Sequence, residues 1–210
     1  MNDALDYKKK YRELYLPKTI PSLVDVPKMA FITADGKGDP NDVNGEFGTA
    51  VELLYAIQYT IKMSKKKQNT PAGYFDYVVP PLEGLWWVKN KKDIGNKSKY
   101  TWTIMIRLPE FVTEKTFRWA CDEAARAKKI NTEKARYLTM TEELCVQCMH
   151  IGPFDDEPKT IALIDAYCEK NNLLNDMSET RRHHEIYLSD FRKTAPEKLK
   201  TVLRIPVRRK

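Results

Sequence analysis

Arg181-Arg182-His183-His184-Glu185-Ile186-Tyr187-Leu188-Ser189-Asp190 is the stretch from which the rest of the chain is read. Ile186, Tyr187 and Leu188 are strand formers, and Ser189-Asp190 ends them. Side chains alternate along a strand. His184, Ile186 and Leu188 therefore share a face that suits a core, and His183, Glu185 and Tyr187 share the other. A carboxylate between two rings needs a partner, if buried, or its pKa moves. Such a row suits a pocket for a cationic or strained aromatic ligand. The competing reading is an edge strand whose Glu185 is solvated between amphipathic rings.

Composition narrows the classes. A chain of 210 residues, 42% hydrophobic and 31% charged, reads as a globular protein of one large domain or two small ones. No run approaches the ~18 apolar residues of a membrane span. The start, Met-Asn-Asp-Ala-Leu-Asp-Tyr-Lys-Lys-Lys, has no apolar signal core, so a cytoplasmic location is expected. The four cysteines are then expected to be reduced. The net charge of +7 is spread over residues 65–67, 89–92, 97–99, 128–129 and 208–210, in expected loops and tails. No helix-turn-helix, zinc finger or RNA-reading motif accompanies it, which speaks against nucleic acid as the partner.

In order, residues 6–16 predict a short basic helix with Tyr7, Tyr11 and Leu14 on one face. Pro17, Pro21 and Pro27 then keep the chain extended, so residues 1–28 read as an N-terminal arm. Residues 29–34 predict a strand, followed by the turn-rich Asp35-Gly36-Lys37-Gly38-Asp39-Pro40-Asn41; its two glycines make a turn, not a phosphate cradle. Residues 46–63 give the clearest helix, with Phe47, Val51, Leu54 and Ile61 as its stripe and Tyr55 and Tyr59 beside it. After a polar loop over 65–73, residues 74–79 predict a strand, bent by Pro80-Pro81-Leu82-Glu83-Gly84 and resumed at Leu85-Trp86-Trp87-Val88. A second polar loop over 89–99 leads to a strand over 100–108, with Trp102, Ile104 and Ile106 on one face. Thr113 is the expected cap of a linker helix over about 113–129. A strand over 144–151, a turn at Gly152, a helix over 158–170, the opening strand, a helical turn capped by Thr194 and a strand over 201–207 complete the order.

Strand, glycine turn, helix, strand, strand thus occurs twice, over about 29–109 and 143–207. Ile106-Arg107-Leu108-Pro109 echoes Leu203-Arg204-Ile205-Pro206. Aligned on the expected strands, Asp76 is the counterpart of Glu185. Two such units can pack pseudo-symmetrically about a cleft with one acid from each. The fold class expected is α+β with antiparallel sheets, and residues 29–210 are its domain.

The sequence resembles the GyrI-like small-molecule-binding family from about Asp6 onward. Asp39-Pro40-Asn41, Pro80-Pro81-Leu82-Glu83-Gly84-Leu85-Trp86-Trp87, His150-Ile151-Gly152-Pro153-Phe154-Asp155-Asp156-Glu157 and His183-His184-Glu185-Ile186-Tyr187-Leu188-Ser189-Asp190 carry the resemblance. It is similar to the stand-alone branch, which lacks a DNA-binding domain. The resemblance implies two repeated halves around an aromatic pocket. In effector domains of multidrug-responsive activators, a pocket acid contacts cationic drugs, and that acid maps onto Glu185. Some stand-alone members open the cyclopropane of DNA-alkylating antibiotics. Phe191 stands where the family usually has Pro.

The resemblance implies a small-molecule-binding protein, and the expectation drawn from it is a hydrolase that detoxifies such compounds. Glu185 is the expected general base and Tyr187 the donor to a developing oxyanion. Trp102, Trp86, Tyr55 and Tyr59 are expected as flat walls, with His183 and Asp76 as further ligand-binding residues. The alternative is a non-catalytic multidrug binder or a gyrase-interacting protein. The ligand expected is an aromatic, cationic or electrophilic small molecule, with no cofactor and no metal. Cys145-Val146-Gln147-Cys148 lies in a strand, not at the helix start a redox pair uses. His183 and His184 point to opposite strand faces, against a triad of His150, His183 and Glu185 on a metal. No GxSxG elbow is present.

Overall fold

The computed structural model describes residues 4–66 and 70–210. The start of the arm at 1–3 and residues 67–69 of the first polar loop, Lys67 included, lie outside the described residues. The elements are α1 (Tyr7–Lys10), α2 (Arg12–Tyr15), β1 (Ser22–Val26), β2 (Met29–Lys37), α3 (Glu46–Lys62), β3 (Leu82–Trp87), β4 (Thr101–Arg107), α4 (Glu114–Lys128), β5 (Ala135–Met140), β6 (Glu143–Ile151), α5 (Glu157–Lys170), β7 (Leu173–Asn175), β8 (His183–Tyr187) and β9 (Lys200–Arg209). Helices separate runs of two or three strands, the pairings are antiparallel, and the fold class is α+β. No helix among the described residues is long and apolar enough to cross a membrane.

The chain forms two compact units. Among the described residues, one holds 4–7, 29–66, 70–80 and 87–140, and the other 8–28, 81–86 and 141–210. In the first, β2 pairs with β4 on one side and β5 on the other. Helix α3 buries Phe47, Leu54, Ile57 and Ile61, and α4 buries Phe117, Ala120 and Ala124. Thr113 caps α4, its hydroxyl accepting from Thr116 N at 3.2 Å. Phe31, Ile32, Ile104 and Ile106 complete this core. Burial of such side chains is worth about 1.5–3 kcal/mol each before entropy is charged against it.

In the second unit the strand order is β1-β6-β9-β8-β3, with β7 also on β9. Val146, Cys148, Leu203, Ile205 and Val207 face Ile164 and Cys168 of α5. Since β8 has β9 on one side and β3 on the other, it is an interior strand, which removes the edge-strand reading. Its burial alternates as the sequence requires, with His184 and Ile186 buried and His183, Glu185 and Tyr187 half-buried. The units share a motif: β2 between β4 and β5 matches β6 between β9 and β1.

The basic helix expected over 6–16 is two separate turns, α1 and α2, interrupted at Tyr11. Within the proline-rich segment, Ser22–Val26 is a strand on β6, with Val24 and Val26 buried. Pro21 and Pro27 lie just outside it, where a missing N–H costs no ladder bond. Residues 74–79 form no strand beyond one bridge from Tyr77 to Leu5. There Leu5 donates to Asp76 O, Val78 donates to Leu5 O, and the Lys62 ammonium bonds Tyr77 O. The strand of this region begins instead at Leu82, inside the expected bend. β5 and β7 were not anticipated: β5 buries only Ala135, and β7 has three residues.

Candidate functional site

Strands β3, β8 and β9 set the site by register. Gly84 pairs with Glu185, Trp86 with His183 and Leu82 with Tyr187. On the other flank Leu203 pairs with Glu185 and Thr201 with Tyr187. Paired residues project to the same face, so Trp86, His183, Glu185 and Tyr187 meet on one side of β8.

These side chains form one hydrogen-bonded row. The Tyr187 hydroxyl donates to Glu185 Oε2 at 2.7 Å. His183 Nε2 lies 3.1 Å from Glu185 Oε1. The indole Nε1 of Trp86 donates to the Tyr187 oxygen at 2.8 Å. Glu185 keeps 13% of its side chain in solvent and His183 18%. The carboxylate is thus held by a donor on each oxygen yet stays reachable, since each oxygen has a second lone pair. Burial, together with the nearby charges of Glu185 and Glu157, pushes the Tyr187 phenol well above its ordinary pKa. It is therefore a neutral donor at physiological pH.

Aromatic rings frame the row. Phe154, from the 3₁₀ turn before α5, meets the Tyr187 ring edge-on at 5.9 Å. Phe191 in turn meets Phe154 at 6.5 Å. His150 holds the turn that delivers Phe154: its Nδ1 lies 2.9 Å from Thr160 Oγ1 and its Nε2 3.0 Å from Pro153 O. Gly152, at φ 140°, makes the same turn in backbone geometry that favours glycine.

The other expected site residues belong to the first unit. Trp102 is fully buried, its ring over Gly36 and edge-on to Phe47 at 5.3 Å. Tyr55 and Tyr59 lie 6.3 Å apart on α3, Tyr59 45% exposed. Asp76 is bonded by Lys65 at 2.6 Å, with Lys62 at 3.6 Å, and lies outside any strand. The Lys65 hydrogen bond holds the Asp76 carboxyl below its usual range. Cys145 and Cys148 are free and buried, and burial pushes both thiols up, Cys145 to about 12.

Sequence reading missed Gly84, Phe154 and Glu157 as parts of the site. It also missed what stands behind β8. On that face His184 is fully buried, its Nδ1 2.9 Å from Glu142 Oε1 and its Nε2 2.9 Å from Glu83 Oε2. Arg204, paired with His184 across β9, reaches Glu142 Oε2 at 3.0 Å, Gln147 Oε1 at 3.0 Å and Leu14 O at 2.7 Å. Tyr15 of α2 donates to Glu83 Oε1 at 3.3 Å. Burial opposes the charged imidazole, but the charges and hydrogen bonds of Glu142 and Glu83 prevail and push His184 up to about 9. Burial likewise opposes the Glu142 carboxylate, and His184 and Arg204 bring it down to about 2. The signal available in sequence was Arg204 within the apolar run of β9.

Against this geometry, the GyrI-like small molecule binding domain matches residues 20–208. The chain belongs to the GyrI-like family. A hydrolase from Listeria innocua is 44% identical, with TM-score 0.89 over 97% of this chain and 100% of its own. An uncharacterized conserved protein from the same organism is 46% identical, with TM-score 0.92 over 97% and 100%. The C-terminal domain of EcmrR, 14% identical with TM-score 0.55 over 90% and 98%, shares the fold. The comparison with curated proteins gives no match.

Proposed function

We propose that this protein is a hydrolase that opens the cyclopropane ring of DNA-alkylating aromatic compounds and so detoxifies them, with Glu185 as general base. The observation that carries the reading is the half-buried Glu185 carboxylate with the Tyr187 hydroxyl 2.7 Å away on the same strand face. The hydrolase from Listeria innocua, at 44% identity over nearly the whole chain, adds support for hydrolysis.

In this reading the planar ligand lies against Trp86 and Phe154. Glu185 accepts a proton from water, and the water oxygen bonds to a cyclopropane carbon. The ring C–C bond breaks, and its electron pair passes into the conjugated carbonyl, which becomes a phenolate. Tyr187 donates a hydrogen bond to that oxygen as its charge grows. The proton on Glu185 then leaves for the phenolate or solvent, restoring the carboxylate.

A spirocyclopropyl cyclohexadienone, which becomes a hydroxyethyl phenol on opening, serves as the probe. Glu185→Gln should keep the ligand bound and lose turnover by at least ~10²–10⁴-fold, because the amide accepts no proton from water at neutral pH. Wild-type turnover by this variant overturns the assignment. Absence of turnover in both forms, with Glu185→Gln weakening cationic ligands only, instead establishes a cation binder.

A further inference from the structure

The indole N–H of Trp86 is directed at the phenol oxygen of Tyr187, and Gly84 is what lets the two meet. Gly84 lies opposite Glu185 inside β3. A Cβ there would stand 2.7 Å from Trp86 Nε1 and 3.2 Å from the Tyr187 oxygen. The missing side chain, not backbone freedom, is what the site uses.

We infer that Trp86, with the space left by Gly84, is a positioning residue that fixes the Tyr187 hydroxyl for catalysis. The inference rests on the hydrolytic reading of Glu185. A phenol oxygen has one hydrogen and two lone pairs. In the resting site its hydrogen points to Glu185 Oε2 and one lone pair takes the Trp86 N–H. Phe154 holds the ring edge-on. The oxygen is therefore fixed and only the hydrogen can turn, by rotation about the C–O bond. While Glu185 is a carboxylate, it keeps that hydrogen. Once Glu185 has taken a proton from water, its attraction for the phenol hydrogen falls. The hydrogen then turns to the ligand oxygen at the moment negative charge grows there, and the phenol oxygen stays where Trp86 holds it. Proton uptake by the base thus releases the donor.

This gives Trp86 a role distinct from a flat wall, because a wall needs the ring but not the N–H. Trp86→Phe keeps an aromatic ring and removes the donor. It should lower kcat roughly tenfold to a hundredfold on the spirocyclopropyl dienone, the cost of a small misplacement of a catalytic group, with KM within about twofold. Gly84→Ala, which keeps every donor and acceptor but crowds their meeting point, should reproduce the loss. If Trp86 acts through Tyr187, Trp86→Phe should cost nothing further in a Tyr187→Phe background. Independent losses that multiply in the double variant overturn the inference, as does an unchanged kcat in Trp86→Phe. A second readout needs no turnover. The indole N–H proton signal that disappears in Trp86→Phe should shift upfield and exchange faster with solvent in Tyr187→Phe. An unmoved signal overturns the hydrogen bond itself. Wild type that leaves the dienone intact while this signal shifts refutes the hydrolytic reading, and the catalytic role of Trp86 with it, while the Trp86–Tyr187 hydrogen bond stands.

Discussion

Behind strand β8, His184 is completely buried between Glu142 and Glu83, with Arg204 closing the set; in front of it Glu185, the next residue, keeps 13% of its side chain in solvent. Both faces carry charge on one short strand, and they differ in how that charge is answered. The rear cluster balances two cations with two carboxylates and hides them all from water. Removing one partner there leaves an uncompensated buried charge. The front row answers one carboxylate with the Tyr187 hydroxyl and a His183 ring nitrogen and leaves it accessible. A charge answered in full and sealed from water reads as structure, and a charge left within reach of solvent reads as chemistry.

That distinction breaks first if the rear cluster proves dispensable. Glu142→Ala should destabilise the protein by about 3–5 kcal/mol in urea titration, because His184 and Arg204 lose their shared counter-charge. Glu185→Gln should change stability far less in the same titration. Equal losses would show that both faces are structural.

A smaller effect lies in the pH dependence. His184 has a folded pKa of about 9 against an ordinary 6.5. Its contribution is full below about 6.5 and is lost as pH rises through about 9. Glu142, lowered to about 2 from 4.5, contributes fully above about 4.5 and loses its contribution as pH falls through about 2. The melting temperature should therefore decline between pH 6.5 and 9, and His184→Gln should flatten that limb. An unchanged slope in the variant would remove His184 as its source.

The smallest effect is expected at Asp76. Its ion pair with Lys65 is exposed, with side chains 39% and 42% accessible. Solvent screens such a pair, so it contributes little to stability. Asp76→Asn should leave both unfolding and dienone turnover close to wild type, and a turnover loss comparable to that of Glu185→Gln would make Asp76 a partner in the chemistry.

What could be read in advance follows the same physical line. The alternation around Glu185, the stripe of α3, the Thr113 cap and the apolar runs of β6 and β9 are local patterns, and each produced its element. β5 and β7 bury too little to leave a pattern. β1 was hidden by the prolines that bracket it. Residues 74–79 have strand-like composition, but Leu5 and Lys62 take up their backbone groups. The row of His183, Glu185 and Tyr187 was legible because it lies within one strand. The rear cluster was not, since Glu83, Glu142 and Arg204 come from distant positions that only the sheet register joins. Trp86 was legible as an aromatic ring, and its N–H direction was not.

The central claim, that Glu185 activates water and is not itself the nucleophile, is tested by a single turnover with enzyme in excess over the spirocyclopropyl dienone in ¹⁸O-water. Mass spectrometry of product and protein follows the label. The ¹⁸O should appear in the new alcohol and the protein should stay unlabelled. An unlabelled alcohol with the label retained on the Glu185 carboxyl would contradict it.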